Sequence, residues 1–364
     1  MLAPKLQRNL IRILPFGVIW LVMGWVFLFS EYAATRGAVF PEEQTAIEFD
    51  AGVLIFASIA VTLVGVLIGV IELLFMRRFF ARKSLMNKVV GKFFLYASFL
   101  FLVVTITYPI AASIELGQPM LHPEIWTRFL NYLSSITFIS TALQMVVSLV
   151  MTIFYAEISD SLGYGVFLDF VLGKYHKPKQ EERIFMFLDM KSSTSIAESL
   201  GHEAYFHFLK AYFRILSEEL LNYSGEIYQY VGDELVVSWK MKKGLENNAC
   251  IQCFFAMESA LKARKNWFEE GYGVAPEFKA GFHYGEVTTG EIGQLKTDII
   301  FTGDVLNTAA RIQSMCNSFN VCLLISSDLL NRLSVQDSFL AKSLGSVELR
   351  GRSETVELFT LLQR

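Results

Sequence analysis

The chain has 364 residues, 53% of them hydrophobic and only 18% charged, with a mean hydropathy of +0.41. A soluble chain carries about a quarter of charged residues, so part of this one is not solvated by water, and the same figures exclude intrinsic disorder. Its net charge, 32 basic against 35 acidic residues, is −3, which argues against a nucleic-acid partner held by phosphate neutralisation.

Four uncharged runs occupy the first 156 residues: 13–30, 51–71, 93–114 and 129–156. A bilayer core of about 30 Å needs about 20 helical residues, so each run is expected to span a lipid bilayer. The runs contain no charged side chain, so neither a buried ion pair nor an ion path is expected among them. Asn131 and Gln144, in the fourth run, read as interhelical packing groups. Trp20, Trp25, Tyr108 and Trp126 suit the aromatic belts at the two interfaces. Lys5, Arg8 and Arg12 precede the first run, and Arg77, Arg78, Arg82, Lys83, Lys88 and Lys92 lie between the second and third. Glu31, Glu42, Glu43, Glu48 and Asp50 against Arg36 fill the loop between the first and second. Because positive loops stay inside, both termini are expected in the cytoplasm, with the four spans in the cell inner (plasma) membrane. Residues 157–182 bring glycines, lysines and Pro178, and read as a cytosolic connector.

From residue 183 onward, strand-like and helix-like segments alternate. The continuous apolar run at 183–188 predicts a strand buried on both faces. Ser195 with Glu198 has the spacing of a capping box, and a helix is expected over 202–222. Two strand-like runs then flank Gly232-Asp233, and a two-residue loop led by glycine predicts a type II′ hairpin. One helix is expected over 245–269. Strands follow at 277–284, with 287–291 as the expected partner, and at 297–302. A helix over 304–317, a strand at 321–325 and two C-terminal strands around Arg350-Gly351-Arg352 complete an α+β domain with one core.

Three features of this half bear on chemistry. Asp189 ends an apolar strand and Asp233 sits at a hairpin tip. Carboxylates brought side by side repel unless a cation lies between them, an arrangement that suits Mg²⁺ with substrate phosphates. Read singly, each is equally an ordinary turn aspartate. The hydroxyl-rich stretch after Asp189, with Ser193 and Thr194, leads into a helix start whose free N–H groups attract phosphate; plain capping explains it as well. Asn307 and Arg311, four apart on one helix, share a face that suits a charged phosphoryl oxygen, or simply solvent. Cys250 and Cys253, inside an expected helix, read as reduced core residues, and His283 as structural.

The segments FLDMKSST, YQYVGDELVV, AGFHYGEVTTGEIG and FTGDVLNTAARI occur in this order. Together they resemble the catalytic domain of the class III adenylate/guanylate cyclases, over about 183–362. The resemblance implies a ferredoxin-like βαββαβ core that forms a homodimer. It implies two Mg²⁺ or Mn²⁺ ions per site, held by Asp189, Asp233 and the backbone carbonyl of Met190, and attack of the ribose 3′-hydroxyl on the α-phosphate with loss of pyrophosphate. Asn307 and Arg311 match the family's transition-state pair, lent by the other protomer. Arg352, or else Arg350, matches a basic triphosphate contact. The base-selecting positions depart from the family's usual residues: they are Gln229, four before Asp233, and Ile300, three before Gly303. An amide offers both donor and acceptor and isoleucine neither, so cyclisation is implied more firmly than the choice of purine. ATP is the expected substrate and GTP the alternative; a nucleotide-binding module without turnover is the competing class.

Overall fold

The computed structural model describes residues 4–35, 51–76, 79–80, 83–162, 173–295, 297–335, 338–348 and 355–364. Leu6–Leu168 forms one compact unit, and Asp169–Arg364 makes up the body of a second.

The first unit is helical: α1 (Pro4–Thr35), α2 (Ala51–Ile71), α3 (Leu85–Leu116), α4 (Pro123–Leu133) and α5 (Ile136–Leu162). Four stretches are long and apolar enough to cross a membrane: Asn9–Ser30, Ala57–Met76, Leu85–Ile110 and Phe138–Asp160. The expected fourth run is two helices. The Ser134 N–H closes α4 on Asn131 and Tyr132, and the Ser135 hydroxyl accepts from the Phe138 N–H to open α5. Asn131 therefore belongs to the short α4, outside the long apolar helix α5. Trp20 packs inside this unit. It is buried, and its indole N–H donates to the Thr152 hydroxyl at 3.0 Å, tying α1 to α5.

The absence of a buried ion pair, expected from the uncharged runs, is overturned. Lys92 Nζ lies 2.5 Å from both Glu72 Oε1 and Glu157 Oε1, and all three side chains are buried. The Tyr96 hydroxyl donates to Glu72 Oε2 at 2.7 Å, and Lys88 approaches Glu157 at 3.7 Å. These charges fall one residue outside the apolar runs, at 71/72, 92/93 and 156/157. The helices continue past those limits; α2 does so through a π-helical turn, Glu72–Met76. Opposite charges from three helices can then be withdrawn from water together, at a cost no single one could bear.

The second unit is a sheet with helices on its faces. Its elements are β1 (Lys179–Met190), α6 (Ser193–Leu200), α7 (His202–Asn222), β2 (Glu226–Val231), β3 (Glu234–Lys240), α8 (Met241–Leu245), α9 (Ala249–Lys262), α10 (Lys265–Tyr272), β4 (Phe278–Ile292), β5 (Asp298–Thr302), α11 (Asp304–Ser314), β6 (Leu323–Ser326), α12 (Ser327–Leu330), β7 (Phe339–Glu348) and β8 (Thr355–Gln363). The strand order is β2-β3-β1-β4-β6-β8-β7, with β5 on β4. Strands β1 to β4 with their intervening helices form the antiparallel βαββαβ core, ferredoxin-like as expected.

β1 is buried on both faces. Ile184, Met186, Leu188 and Met190 join a core built with α7 and α9, whereas Phe185 and Phe187 pack with Val305 and Ala309 of α11 on the opposite face. Period-two alternation therefore places Asp189 on the α11 face. Three local expectations differ. The helix after Asp189 begins at Ser193, with Ser192 left-handed (φ 55) and no side-chain cap, so Ser195 and Glu198 lie inside it and form no capping box. The expected helix 245–269 is broken at Asn247 and Asn248, both left-handed, and again after Lys262. Residues 278–292 form one long strand, so 287–291 extends β4 rather than pairing with it; its partners are β1 and β5. The two C-terminal strands form as expected, but Arg350, Gly351 and Arg352 lie outside the described residues.

The helical unit supplies a direct test. Lys92→Met leaves two buried carboxylates without their shared cation, a loss of about 3–5 kcal/mol. The Tm of the purified full chain in detergent should drop clearly, and replacing Glu72 and Glu157 by Gln in the same variant should recover much of it. An unchanged Tm for the single variant would mean that these charges are not paired.

Candidate active site

Asp189 and Asp233 are delivered by adjacent strands. Asp189 is the penultimate residue of β1, and Asp233 occupies the two-residue loop between β2 and β3, where Val231 pairs with Glu234. Gly232 has φ +63 while Asp233 stays on the ordinary side, the dihedral pattern of a II′ turn. Because β3 pairs with β1 in register through Leu188 and Leu235, the hairpin tip comes beside the end of β1.

The two carboxyls interact. Burial first, and then the charge of Asp233, push the Asp189 carboxyl above its usual range despite the opposing Lys279 ammonium. The Glu234 carboxyl is raised for related reasons: its burial, then Asp189 and Asp233. Burial also raises the Tyr205 hydroxyl of α7, with Asp233 as the next cause. Negative charge at this sheet end is thus incompletely balanced. Asp233 Oδ2 is buried and has no hydrogen-bond partner among the described residues. Such an oxygen costs free energy unless something binds it. Hard carboxylate oxygens at a half-buried strand end fit Mg²⁺ or Mn²⁺. No group of three or more His, Cys, Asp or Glu side chains suited to a metal occurs among the described residues. A cation here would need its remaining ligands from backbone and phosphate.

The other positions singled out in the sequence are distributed around this end. Met190 closes β1 with its side chain buried and its backbone paired to Phe278. Ser193 and Thr194 form the first turn of α6. Gln229 is exposed on β2, just past a bulge. Ile300 is half-buried in β5 opposite Gly290. These last two strands are braced by residues between them. The Phe301 N–H donates to the Tyr228 hydroxyl at 3.3 Å, and their rings lie 4.8 Å apart. Beneath them Arg183, only 1% exposed, donates to Glu181, Glu226 and Ser238 and stacks over Phe301 at 4.6 Å.

Asn307 is exposed and Arg311 half-buried on α11. Among the described residues no hydrogen bond or ion pair joins either one to Asp189 or Asp233 of the same chain. Arg311 Nη1 is buried without a hydrogen-bond partner.

Comparison with known proteins settles the family. Residues 175–363, just over half of the chain, match the adenylate and guanylate cyclase catalytic domain. The chain belongs to that family. Adenylate cyclase 2 of Rhizobium meliloti (strain 1021) is 36% identical over 209 residues, covering 57% of this chain and 58% of that protein. Adenylate cyclase 1 of the same organism is 27% identical over 189 residues, 50% of this chain and 28% of its own. The chain thus spans little more than half of the first relative and about a quarter of the second. A solved bacterial light-regulated adenylyl cyclase shares the fold, with a TM-score of 0.52 at 22% identity over 63% of this chain and 66% of that one.

Within this cyclase-family domain, two neighbours of Asp189 escaped sequence reasoning. Lys279 Nζ and Gln313 Nε2 both lie 3.2 Å from Asp189 Oδ2. Lys279 faces Asp189 across the β1–β4 register, a pairing that spacing along the chain does not reveal. The residues read as structural behave so. His283 is buried, with Nδ1 2.8 Å from the Ser326 hydroxyl, and burial pushes the Cys250 thiol up to about 12.

Asp189 carries a sign that can be tested. A carboxyl whose folded pKa is raised favours the metal-free fold at low pH, and that contribution is lost as pH rises through the folded value. Asp189→Asn should therefore raise the Tm of the metal-free protein at pH 7 by a few degrees, and the gain should shrink as the pH is lowered toward 4. The same variant should lose any stabilisation by Mn²⁺. A lower metal-free Tm would show that the Lys279 contact outweighs the desolvation of Asp189.

Proposed function

We propose that the chain is a membrane-anchored purine nucleotide cyclase that converts ATP to 3′,5′-cyclic AMP and pyrophosphate at sites shared by two copies. The observation that carries the reading is the under-compensated carboxylate pair, Asp189 with Asp233, whose Oδ2 has no hydrogen-bond partner among the described residues, at one sheet end of a cyclase-family domain. The naming of both relatives as adenylate cyclases supports ATP.

Mg²⁺ or Mn²⁺, two ions per site, supplies the charge that activates the ribose 3′-hydroxyl and neutralises the triphosphate. Asp189, Asp233 and the Met190 carbonyl would hold these ions. Ser193 and Thr194 present the first-turn N–H groups of α6 to phosphate. Asn307 and Arg311 of the second copy stabilise the negative charge that grows on the α-phosphate as the hydroxyl attacks in line. Arg352, or Arg350, contacts the triphosphate. Gln229 reads the purine edge, and Ile300 adds apolar contact without a hydrogen bond. The shared site is supported by Arg311, whose buried Nη1 finds no partner among the described residues of its own chain. It is supported also by β2, where Ile227, Tyr230 and Val231 are exposed together. An apolar strand in that condition suits a second copy.

Residues 1–156 act as the membrane domain in the plasma membrane, 157–182 as the connector and 183–364 as the catalytic domain, with both termini cytoplasmic. Guanylate cyclase activity is the second reading, favoured by the Gln229 amide, which can pair with guanine as well as adenine.

The deciding experiment is product analysis of the full chain in detergent, given ATP or GTP with Mg²⁺ or Mn²⁺. Cyclic AMP and pyrophosphate from ATP are expected. Formation of cyclic GMP alone would transfer the assignment to GTP, and no cyclic product under any condition would favour a binding module. Asp189→Ala and Arg311→Ala should each be inactive alone yet regain turnover when mixed, because one composite site of the mixed dimer is whole. Absence of rescue would count against shared sites.

A further inference from the structure

We infer that Gln313 is a positioning residue that holds the Asp189 carboxylate in the orientation a cation requires, an inference that rests on the proposed metal site. α11 lies against β4 where Gly281 leaves room, since a Cβ there would collide with the backbone of Gln313. That close approach delivers the Gln313 side chain, 5% exposed, to the sheet face on which Asp189 stands. Its Nε2 donates to Asp189 Oδ2 at 3.2 Å.

Lys279 reaches the same oxygen, but the two donors differ in kind. An ammonium opposes the arrival of a second cation at Asp189. A neutral amide does not, and it continues to fix the carboxylate plane. Groups that orient a ligand in this way typically affect metal affinity or activity by about 10–100-fold.

Gln313 also stands two positions from Arg311. At about 100° per residue the two side chains leave α11 on opposite sides. One helix thus touches its own chain's carboxylate through Gln313 and, on the proposed reading, lends Arg311 to the partner.

The test uses the full chain in detergent. Mn²⁺ binding, read from the electron paramagnetic resonance signal of free Mn²⁺, should weaken at least tenfold in Gln313→Met, which keeps length and helix propensity but has no donor. Asp189→Ala should abolish it. Gln313→Leu serves if the methionine variant does not fold. Wild-type affinity in a folded Gln313 variant, with Asp189→Ala still defective, would overturn the inference and leave the metal site standing. A wild-type protein that holds no Mn²⁺ would overturn both.

The mixed dimer gives a second readout. Its working site takes Asp189 from the Arg311→Ala chain and Arg311 from the Asp189→Ala chain. Gln313→Met on the Arg311→Ala chain should raise the Mn²⁺ concentration needed for turnover about tenfold or more; on the Asp189→Ala chain it should leave that requirement unchanged. Equal effects from both placements would mean that Gln313 merely supports the helix, and would overturn the positioning role.

Discussion

Two carboxyls held side by side at one sheet end are the constraint around which the second unit of this protein is arranged. Asp189 and Asp233 are held at the ends of paired strands, one partly desolvated and the other with an oxygen that nothing among the described residues satisfies. Their proximity stems from backbone hydrogen bonding, because the β1–β3 register leaves neither strand end free to retreat. Free energy of folding is spent to keep like charges together. Lys279 and Gln313 offset part of that cost without removing it. Sites that tolerate such local expense are where binding or chemistry is to be sought.

The same sheet decides what each face does. β1 sends its even-numbered apolar residues into the α7 and α9 layer and its odd-numbered ones toward α11. Arg183 and Asp189 share the second face with Phe185 and Phe187. At one end Arg183 ties β1 to Glu226 of β2 and Ser238 of β3 and stacks on Phe301 of β5. At the other end Asp189 meets α11. One strand thereby braces the region of Gln229 and Ile300 and also presents the carboxylate. A substitution that slipped its register by one residue would exchange the two faces and dismantle both.

In the helical unit the limiting interaction has the opposite sign. Glu72, Lys92 and Glu157 attract, and each is tolerable in its buried place only because the others are there. Runs of uncharged residues mark where a helix can sit in hydrocarbon. They do not mark where the helix ends, and here the informative side chains stand one position beyond each run.

The sequence alone determined what depends on neighbours along the chain: the four apolar stretches, the strand into Asp189, the Gly232-Asp233 turn and the helix bearing Asn307 and Arg311. Those follow from hydropathy, period and turn chemistry, which act over a few residues. Three kinds of feature were decided by the tertiary structure. The ion cluster joins residues 20 and 65 positions apart, and the contacts of Asp189 with Lys279 and Gln313 span strands and a helix. The division of 245–269 rests on two asparagines in left-handed conformations, which such residues tolerate but do not require. In each case the deciding energy comes from which groups share burial, and burial is a property of the folded chain rather than of any segment of it.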